Sequence, residues 1–383
     1  MVAACPFPAR RGTPVRIERM AEALAVEGHE VHAVTYHLGE KAGPVGCEVH
    51  RIRDIGVYKD TSPGPNWRKL LLADPLLTAR VMTVARRVRP DIIHAHHFEG
   101  LLAALPAARS LRIPVIFDAH VLLGGELQYY KLGLPRPLVR LVSKFLDGVL
   151  PRTCDHVVAV SSEIRDRLVE FHKLDPKSVT VVPNGVEPEF FWGRSGFFGH
   201  DGRPRLVFSG NLAAYQGVQI LPSFLSAVLG HLPEARLVLV TSDDPAEILA
   251  DAQSLGVRDN VDIVPANLET LADVLTSADV LLNPRTECPG VPLKLLNYMA
   301  SGRPIVSFEG SARYLVDNES GLIIKNGDVE AFAQGVVRLI RDTALSYELG
   351  ARARTFASNN LSWNAACKVL SEVYEGAIAG RTR

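Results

Sequence analysis

A chain of 383 residues exceeds the usual size of a single hydrophobic core, so two domains are expected. Hydrophobic residues at 47% and charged residues at 22% describe an ordinary globular protein. The 42 basic residues balance 42 acidic ones, which excludes a global field that would recruit nucleic acid. Cys5, Cys47, Cys154, Cys288 and Cys367 are scattered, with no C-x-x-C pair. This argues against a disulfide framework or a zinc site and fits a reducing cytosol. No apolar run reaches the roughly 20 residues of a membrane span. The first residues lack a signal-peptide layout and read as a strand and its loop.

In the first half, short β-branched runs predict strands at residues 2–5, 30–36, 48–52, 91–95, 114–118, 156–161 and 179–183. Helical patterns separate them, such as residues 16–27, with Ile17, Met20, Ala21 and Leu24 apolar, and residues 76–89. Alternation of this kind predicts α/β architecture with a parallel sheet covered on both faces. Ligands of such sheets bind at the carboxyl ends of the strands. Three loops there carry chemistry. Residues 6–14 place Arg10, Arg11 and Gly12 before a helix, which suits an anion or sugar hydroxyls, although paired arginines are also commonly just solvated. The run His94-Ala95-His96-His97-Phe98-Glu99-Gly100 brings three histidines together. A metal site is disfavoured there, since no cysteine or carboxylate partner stands in register. His120 ends the third, Asp118-Ala119-His120, as either a substrate contact or a hydrogen-bonded structural histidine. Between residues 136 and 150, Arg136, Arg140 and Lys144 repeat every four residues beside Leu138, Leu141, Val142, Phe145 and Leu146. This pattern reads as a core helix with a solvated basic side; an anionic membrane surface is the alternative.

Residues 190–205 are rich in glycine, aromatics and charge and read as a linker or domain boundary. A second series of strands follows at residues 206–209, 236–240, 261–264, 280–283, 304–307 and 322–324. Gly210 follows its first strand as Gly12 follows the first strand of the other half. Two Rossmann-like halves are expected, with the cleft between them as the default site. Residues 283–308 read as a strand end, a Gly/Pro loop, a helix and the next strand. Pro292 fits the first helical position, Leu293, Leu296, Met299 and Ala300 mark the packed face, and Gly302 ends the helix. Lys294 then lies in the first turn, where the helix dipole disfavours a cation. Either an anion sits in that phosphate-like cradle, or the lysine is simply solvated. Residues 363–379, with Ala366, Val369, Leu370, Val373 and Tyr374 apolar, predict a last amphipathic helix.

Taken in order, PFPARRGTPVRIERMAEALAVEGHEVHAVT, DIIHAHHFEG, VIFDAH, VVAVSSEIRDRL, VVPNGV, FSGNLAAYQGV and VPLKLLNYMASGRPIV resemble the retaining glycosyltransferases of the large family four, which have the GT-B fold. The resemblance runs nearly end to end. It implies two facing Rossmann-like domains: an acceptor-side domain at residues 1–187, a linker at 188–204, a nucleotide-sugar domain at 205–360, and a helix at 361–383 returning to the first domain. It implies His120 and Glu287 in catalytic positions and Arg10, Arg11 and His96 on the acceptor side. The donor would meet Gly12, Gly210, Asn211, Gln216, Pro265, Gly290, Val291, Pro292, Lys294, Leu295 and Asn297. The substrate implied is a nucleoside-diphosphate sugar, the acceptor a glycan or lipid-linked hydroxyl, and no cofactor or metal is expected.

Two departures from the family pattern stand out. Asn211 and Gln216 occupy the places of its basic pair, and Asn297 that of its second glutamate. Lys294 is then the first candidate to supply charge, with Arg285 and Arg303 behind it. A GT-B-like subunit without catalysis is the alternative reading; a sugar-nucleotide epimerase is less supported. The expected location is the cytoplasm, with peripheral contact at the inner membrane face through Arg136, Arg140 and Lys144.

Overall fold

A computed structural model describes residues 1–9, 12–40, 45–56, 69–126, 136–194, 201–288 and 291–381. The chain divides into two units, Met1–Asn184 with Trp363–Arg383, and Gly185–Ser362.

The first unit is built on a seven-stranded sheet: β1 (Val2–Ala3), β2 (Val31–Thr35), β3 (Cys47–Arg51), β4 (Ile93–His96), β5 (Val115–Ala119), β6 (His156–Ala159) and β7 (Val179–Val181). Their order is β3-β2-β1-β4-β5-β6-β7, and each neighbouring pair is parallel. A parallel sheet must be covered on both faces, which is why the central strands β4, β5 and β6 are buried along almost their whole length, polar His94, His96 and Asp118 included. Val115, Phe117 and Val157 pack one face against Leu77, Val81, Leu101 and Ala104 of helices Asp74–Val88 and His97–Leu111. Ile116 and Val158 point the other way, against Met20, Ala21 and Leu24 of helix Gly12–Val26 and Trp363 and Leu370 of helix Trp363–Arg381.

The second unit repeats the plan with six strands: β8 (Arg205–Ser209), β9 (Arg236–Thr241), β10 (Val261–Pro265), β11 (Val280–Asn283), β12 (Ile305–Phe308) and β13 (Leu322–Ile324). The order is β10-β9-β8-β11-β12-β13, again parallel throughout. Phe208, Leu239 and Val306 meet Phe224 and Phe332 on one face. Val207, Val238 and Leu281 meet Leu296 and Met299 on the other.

Two expectations are corrected. The described residues of the proposed linker, 188–194 and 201–204, belong to the second unit. Phe191 is buried in its core with Val186, and Arg194 pairs with Asp273 at 2.9 Å. Phe190 and Phe191, two of the aromatic residues that suggested a linker, pack on that core. The basic helix, Arg136–Val149, does not bury the stripe expected of it. Its inward residues are Val139, Ser143 and Asp147, whose carboxylate accepts the N–H groups of Leu123 and Gly124 at 2.8 and 2.7 Å. Leu141 and Phe145 are 68% and 65% exposed, and Leu138, Val142 and Val149 are also open to solvent.

Candidate functional site

In the first sheet the strand order reverses between β1 and β4, so the loops leaving those strands flank the crevice where such sheets take ligands. Arg16, in the second turn of helix Gly12–Val26, turns inward and is 2% exposed. Its Nε donates to Asp118 Oδ2 at 3.0 Å and its Nη2 to Asp118 Oδ1 at 3.3 Å. The remaining N–H groups reach the carbonyls of Val182 and Pro183 at 2.9 and 3.1 Å and Asn184 Oδ1 at 3.2 Å. Asp118 is fully buried, and a buried pair of this kind is tolerable only with its hydrogen bonds completed in this way.

Three histidines gather on that carboxylate, and a fourth, His97, stacks on one of them. His96 stands directly opposite Asp118 in the β4–β5 register, and the two-residue period of β4 stacks His94 on His96 with ring centroids 4.5 Å apart. His94 Nε2 and His96 Nδ1 lie 3.4 and 3.3 Å from Asp118 Oδ2. His120 Nε2 is 3.2 Å from His96 Nδ1, and the His120 ring stacks on His97 at 4.4 Å. Thr13 Oγ1 joins His97 Nε2 at 2.9 Å and His120 Nδ1 at 3.5 Å. Behind them, the Tyr374 hydroxyl lies 2.5 Å from His94 Nδ1. Burial pushes His96 and His120 down to about 3 and lowers His94 and His97 as well, so all four are neutral at neutral pH. For Asp118, burial alone would raise the carboxyl, but Arg16 and the surrounding imidazoles hold it well below the usual range.

This arrangement changes three readings. His96, expected beside the acceptor, is fully buried and contacts Asp118 and His120 instead. The carboxylate partner thought absent from the histidine run is Asp118. His94, His96 and Asp118 do offer ligand atoms within 4.8 Å of one another, yet Arg16 already binds both Asp118 oxygens and repels a second cation there. Gly12 opens its helix, where an added Cβ would meet nothing, so no close approach requires glycine. Arg10 and Arg11 lie outside the described residues.

The second sheet reverses between β8 and β11. The loop after β8 carries Gly210 to Gly217, and the loop after β11 leads into helix Leu293–Ser301. Lys294, second in that helix, donates from Nζ to Gln216 Oε1 at 2.9 Å and sits 4.2 Å from the centroid of the Phe208 ring. Burial, and then the Arg285 guanidinium, push the Lys294 amine down to about 7. Arg285 lies over the Tyr215 ring at 4.9 Å, and the Tyr215 hydroxyl accepts from Asn211 Nδ2 at 2.7 Å. The two loops therefore form a single surface bearing Asn211, Gln216, Arg285 and Lys294.

That surface is held from below. Gly217, in the left-handed region at φ 74°, packs so closely that an added Cβ would overlap the Pro284 carbonyl; one at Gly310 would overlap the Thr286 carbonyl. Buried Asn283 donates to Ser307 Oγ and Ser311 Oγ, both at 2.8 Å, and Ser311 Oγ donates to the Arg285 carbonyl at 2.6 Å. The Tyr298 hydroxyl accepts the Ser209 N–H at 2.7 Å and fixes the end of β8.

Several details differ from the sequence reading. Pro292 is the N-cap, extended at φ −63° and ψ 125°, not the first helical residue. Leu293 is exposed, and the packed face runs through Leu295, Leu296, Tyr298, Met299 and Ala300. Leu295 is fully buried and its N–H bonds the Pro292 carbonyl at 2.9 Å, so neither its side chain nor its amide is left for a ligand. Val291 packs partly buried on the same core. Arg303 precedes β12 and lines a hollow with Asp279 and Arg205 at the amino ends of the strands, away from the Lys294 loops. Glu287 is exposed, with its carbonyl accepting from Arg285 Nε at 2.6 Å. Pro265 ends β10 at the surface, near Asn267, which caps helix Leu268–Thr276 through the Thr270 N–H at 2.7 Å. Asn297 is half-buried in the second turn of its helix, and Gly290 lies outside the described residues.

Sequence reasoning passed over Arg16, Asp118, Tyr374, Tyr215 and Phe208. A signal existed for two of them. Arg16 is four residues before Met20 on the apolar stripe, and Asp118 is a charge inside an apolar strand.

Comparison with known proteins gives a consistent picture. Residues 10–190 match the family described as Glycosyltransferase Family 4, and residues 203–342 match Glycosyl transferases group 1. A D-inositol 3-phosphate glycosyltransferase of Segniliparus rotundus is 28% identical over 310 residues, covering 76% of this chain and 67% of its own. Among solved structures, sucrose-phosphate synthase from Thermosynechococcus elongatus superposes with a TM-score of 0.75 at 18% identity, over 99% of this chain and 96% of that one. HepE of Anabaena, in complex with UDP, gives a TM-score of 0.71 at 15% identity, over 98% of this chain and 100% of that one. At such identities the structural likeness is one of fold.

Proposed function

Since the chain belongs to the group 1 glycosyltransferases of the GT-B fold, with a family 4 first half, we propose that it transfers a sugar, with retention and without a metal, from a nucleoside-diphosphate sugar to a hydroxyl of a lipid-linked or envelope glycan acceptor. The observation that carries this is the Lys294–Gln216 contact at the reversal point of the second sheet. There the Lys294 amine, Arg285 and the first turn of a helix would meet the diphosphate, which supports a source of charge in place of the basic pair lost at Asn211 and Gln216. HepE of Anabaena has been solved with UDP-glucose, which favours a uridine donor here.

In this mechanism the acceptor oxygen attacks the anomeric carbon on the face from which the diphosphate departs. The bond from the anomeric carbon to the phosphate oxygen breaks, and that oxygen takes the acceptor proton. Lys294 and Arg285 stabilise the charge developing on the diphosphate without a metal, consistent with the lack of a D-x-D pair in the sequence. The sugar passes through an oxocarbenium-like state. His120, neutral and held at Nε2 by His96, would hydrogen-bond a sugar hydroxyl through Nδ1, in place of Thr13 Oγ1 at 3.5 Å. Glu287 is the further candidate for the sugar hydroxyls.

A panel of nucleotide sugars tests the donor by thermal shift, followed by hydrolysis without acceptor. Selective stabilisation by one sugar nucleotide, with slow hydrolysis, is the expected result. No response to any of them would favour the non-catalytic subunit.

The relative named for D-inositol 3-phosphate acts on a polyol phosphate. The exposed Leu141 and Phe145, flanked by Arg140 and Lys144, favour a lipid-linked acceptor for this chain and a protein resting on an anionic leaflet. No described helix is long and apolar enough to cross a membrane. Leu141→Glu/Phe145→Glu is expected to lower co-sedimentation with phosphatidylglycerol vesicles by about tenfold or more, given roughly 1.5–3 kcal/mol per buried large apolar side chain. Sedimentation equal to the wild type would remove the membrane from the proposal.

A further inference from the structure

We infer that the edge of the first sheet carries a transition-metal site, made by His32 of β2 with Glu48 and His50 of β3 and suited to Zn²⁺. Parallel pairing sets His32 opposite Glu48 and Val34 opposite His50, so the two-residue period brings the three side chains to one face. His32 Nδ1 lies 3.0 Å from His50 Nε2 and 3.4 Å from Glu48 Oε2. Each residue offers a ligand atom within 4.8 Å of the other two. Bonds of about 2.0–2.2 Å at a tetrahedral centre hold ligand atoms roughly 3.3–3.5 Å apart, close to these spacings.

The surroundings favour the same reading. The second nitrogen of His32, Nε2, lies 2.9 Å from Glu30 Oε1. A carboxylate on the far side of an imidazole fixes the tautomer that leaves Nδ1 free to bind a metal. Arg87 Nη2 lies 3.2 Å from Glu48 Oε1 and 3.5 Å from His50 Nδ1, on the side away from Glu48 Oε2 and His50 Nε2; unlike buried Arg16 it is 61% exposed and can swing into solvent when a cation enters. His32 and His50 are largely covered, while Glu48 is 59% exposed, so an ion can enter from the Glu48 side. Two imidazoles and one carboxylate suit zinc, nickel or copper and provide too few oxygens for magnesium or calcium. His32 and Glu48 stand second in β2 and β3 and His50 fourth in β3, within the strands rather than in the loops that leave their carboxyl ends. An ion there would tie the edge strand β3 to β2. The competing account is a plain imidazole–imidazole hydrogen bond, which takes up no metal.

The full chain, stripped with a chelator, is titrated with Zn²⁺ against a chromophoric indicator, with Mg²⁺ for comparison. The proposal expects one tight zinc equivalent and a thermal transition raised by Zn²⁺ but not by Mg²⁺. Glu30→Gln should weaken binding by about 10- to 100-fold. His32→Gln/His50→Gln should lose the equivalent; Glu48→Gln, at an exposed position that leaves the fold intact, should weaken it. A wild-type chain that takes up no zinc overturns the proposal. So does uptake that Glu48→Gln and His32→Gln/His50→Gln leave unchanged, because the ion would then be bound elsewhere.

Discussion

Replacing Lys294 with alanine is expected to lower kcat/KM for the true nucleotide sugar by about 10²- to 10³-fold, the usual effect of removing one donor from a group that stabilises developing charge. Binding alone should weaken by about 10- to 150-fold, since a hydrogen bond to a charged group contributes roughly 1.5–3 kcal/mol. The fold should survive, because the half-buried lysine lies among the loops after the strands, against Gln216 and the Phe208 ring, and belongs to none of the apolar cores. The pH dependence gives a second readout. With its amine at about 7 in the free protein, Lys294 is partly uncharged at neutral pH, and a bound diphosphate raises it by favouring the ammonium. Affinity for a sugar nucleotide, whose diphosphate does not titrate in this range, should be level below pH 7 and then fall by up to about tenfold per pH unit. Lys294→Ala should abolish that slope, and Lys294→Arg should flatten it while keeping much of the affinity. Wild-type donor affinity in Lys294→Ala would sink the assignment.

The second large effect is on stability. Asp118→Asn or Arg16→Met each strands a buried charge, and removing one partner of such a pair costs about 3–5 kcal/mol. Amide exchange in β4 and β5 reports it locally, and protection there should fall by that amount. Arg16→Met/Asp118→Leu removes both charges and should cost less than either single change. Singles within about 1 kcal/mol of the wild type would mean the pair contributes little. Acid acts in the same direction. The folded histidines resist protonation, those in the cluster at His96 and His120 down to about 3, whereas unfolded ones take up protons near the ordinary 6.5. Stability contributed by the neutral histidines is therefore present above pH 6.5 and lost as pH falls toward 3. Asp118, depressed well below its ordinary 3.8, adds stability that begins to be lost below about that pH. The first unit should open in mild acid well before its carboxylates are titrated.

Strand positions were legible because buried parallel strands are continuous β-branched runs, and every predicted strand overlaps an observed one within a few residues. The place of Lys294 in a first helical turn was legible as well, from the turn residues Gly290 and Pro292 before it and Gly302 after the helix. Arg16 and Asp118 were not readable as a pair. They stand 102 positions apart, and only the order of strands within the sheet brings them together. The same holds for Lys294 and Gln216, 78 positions apart. The exposed stripe on helix Arg136–Val149 misled for a different reason: periodicity reveals that a helix has an apolar face, but not what covers it.

The first unit is discontinuous, and this bears on how the protein is made. Residues Trp363, Cys367, Leu370 and Tyr374 close one face of its sheet, and the Tyr374 hydroxyl meets Nδ1 of His94, 280 positions earlier. On the ribosome these side chains emerge after the whole of Gly185–Ser362 has been synthesised. The second unit can bury its own core while still tethered, whereas Met20, Leu24, Ile116 and Val158 of the first gain the cover of Trp363 and Leu370 only once those residues have been made. The arginine–aspartate pair draws Val182, Pro183 and Asn184 from the first segment and can form before the second unit is made, while His94 gains Tyr374 only afterwards.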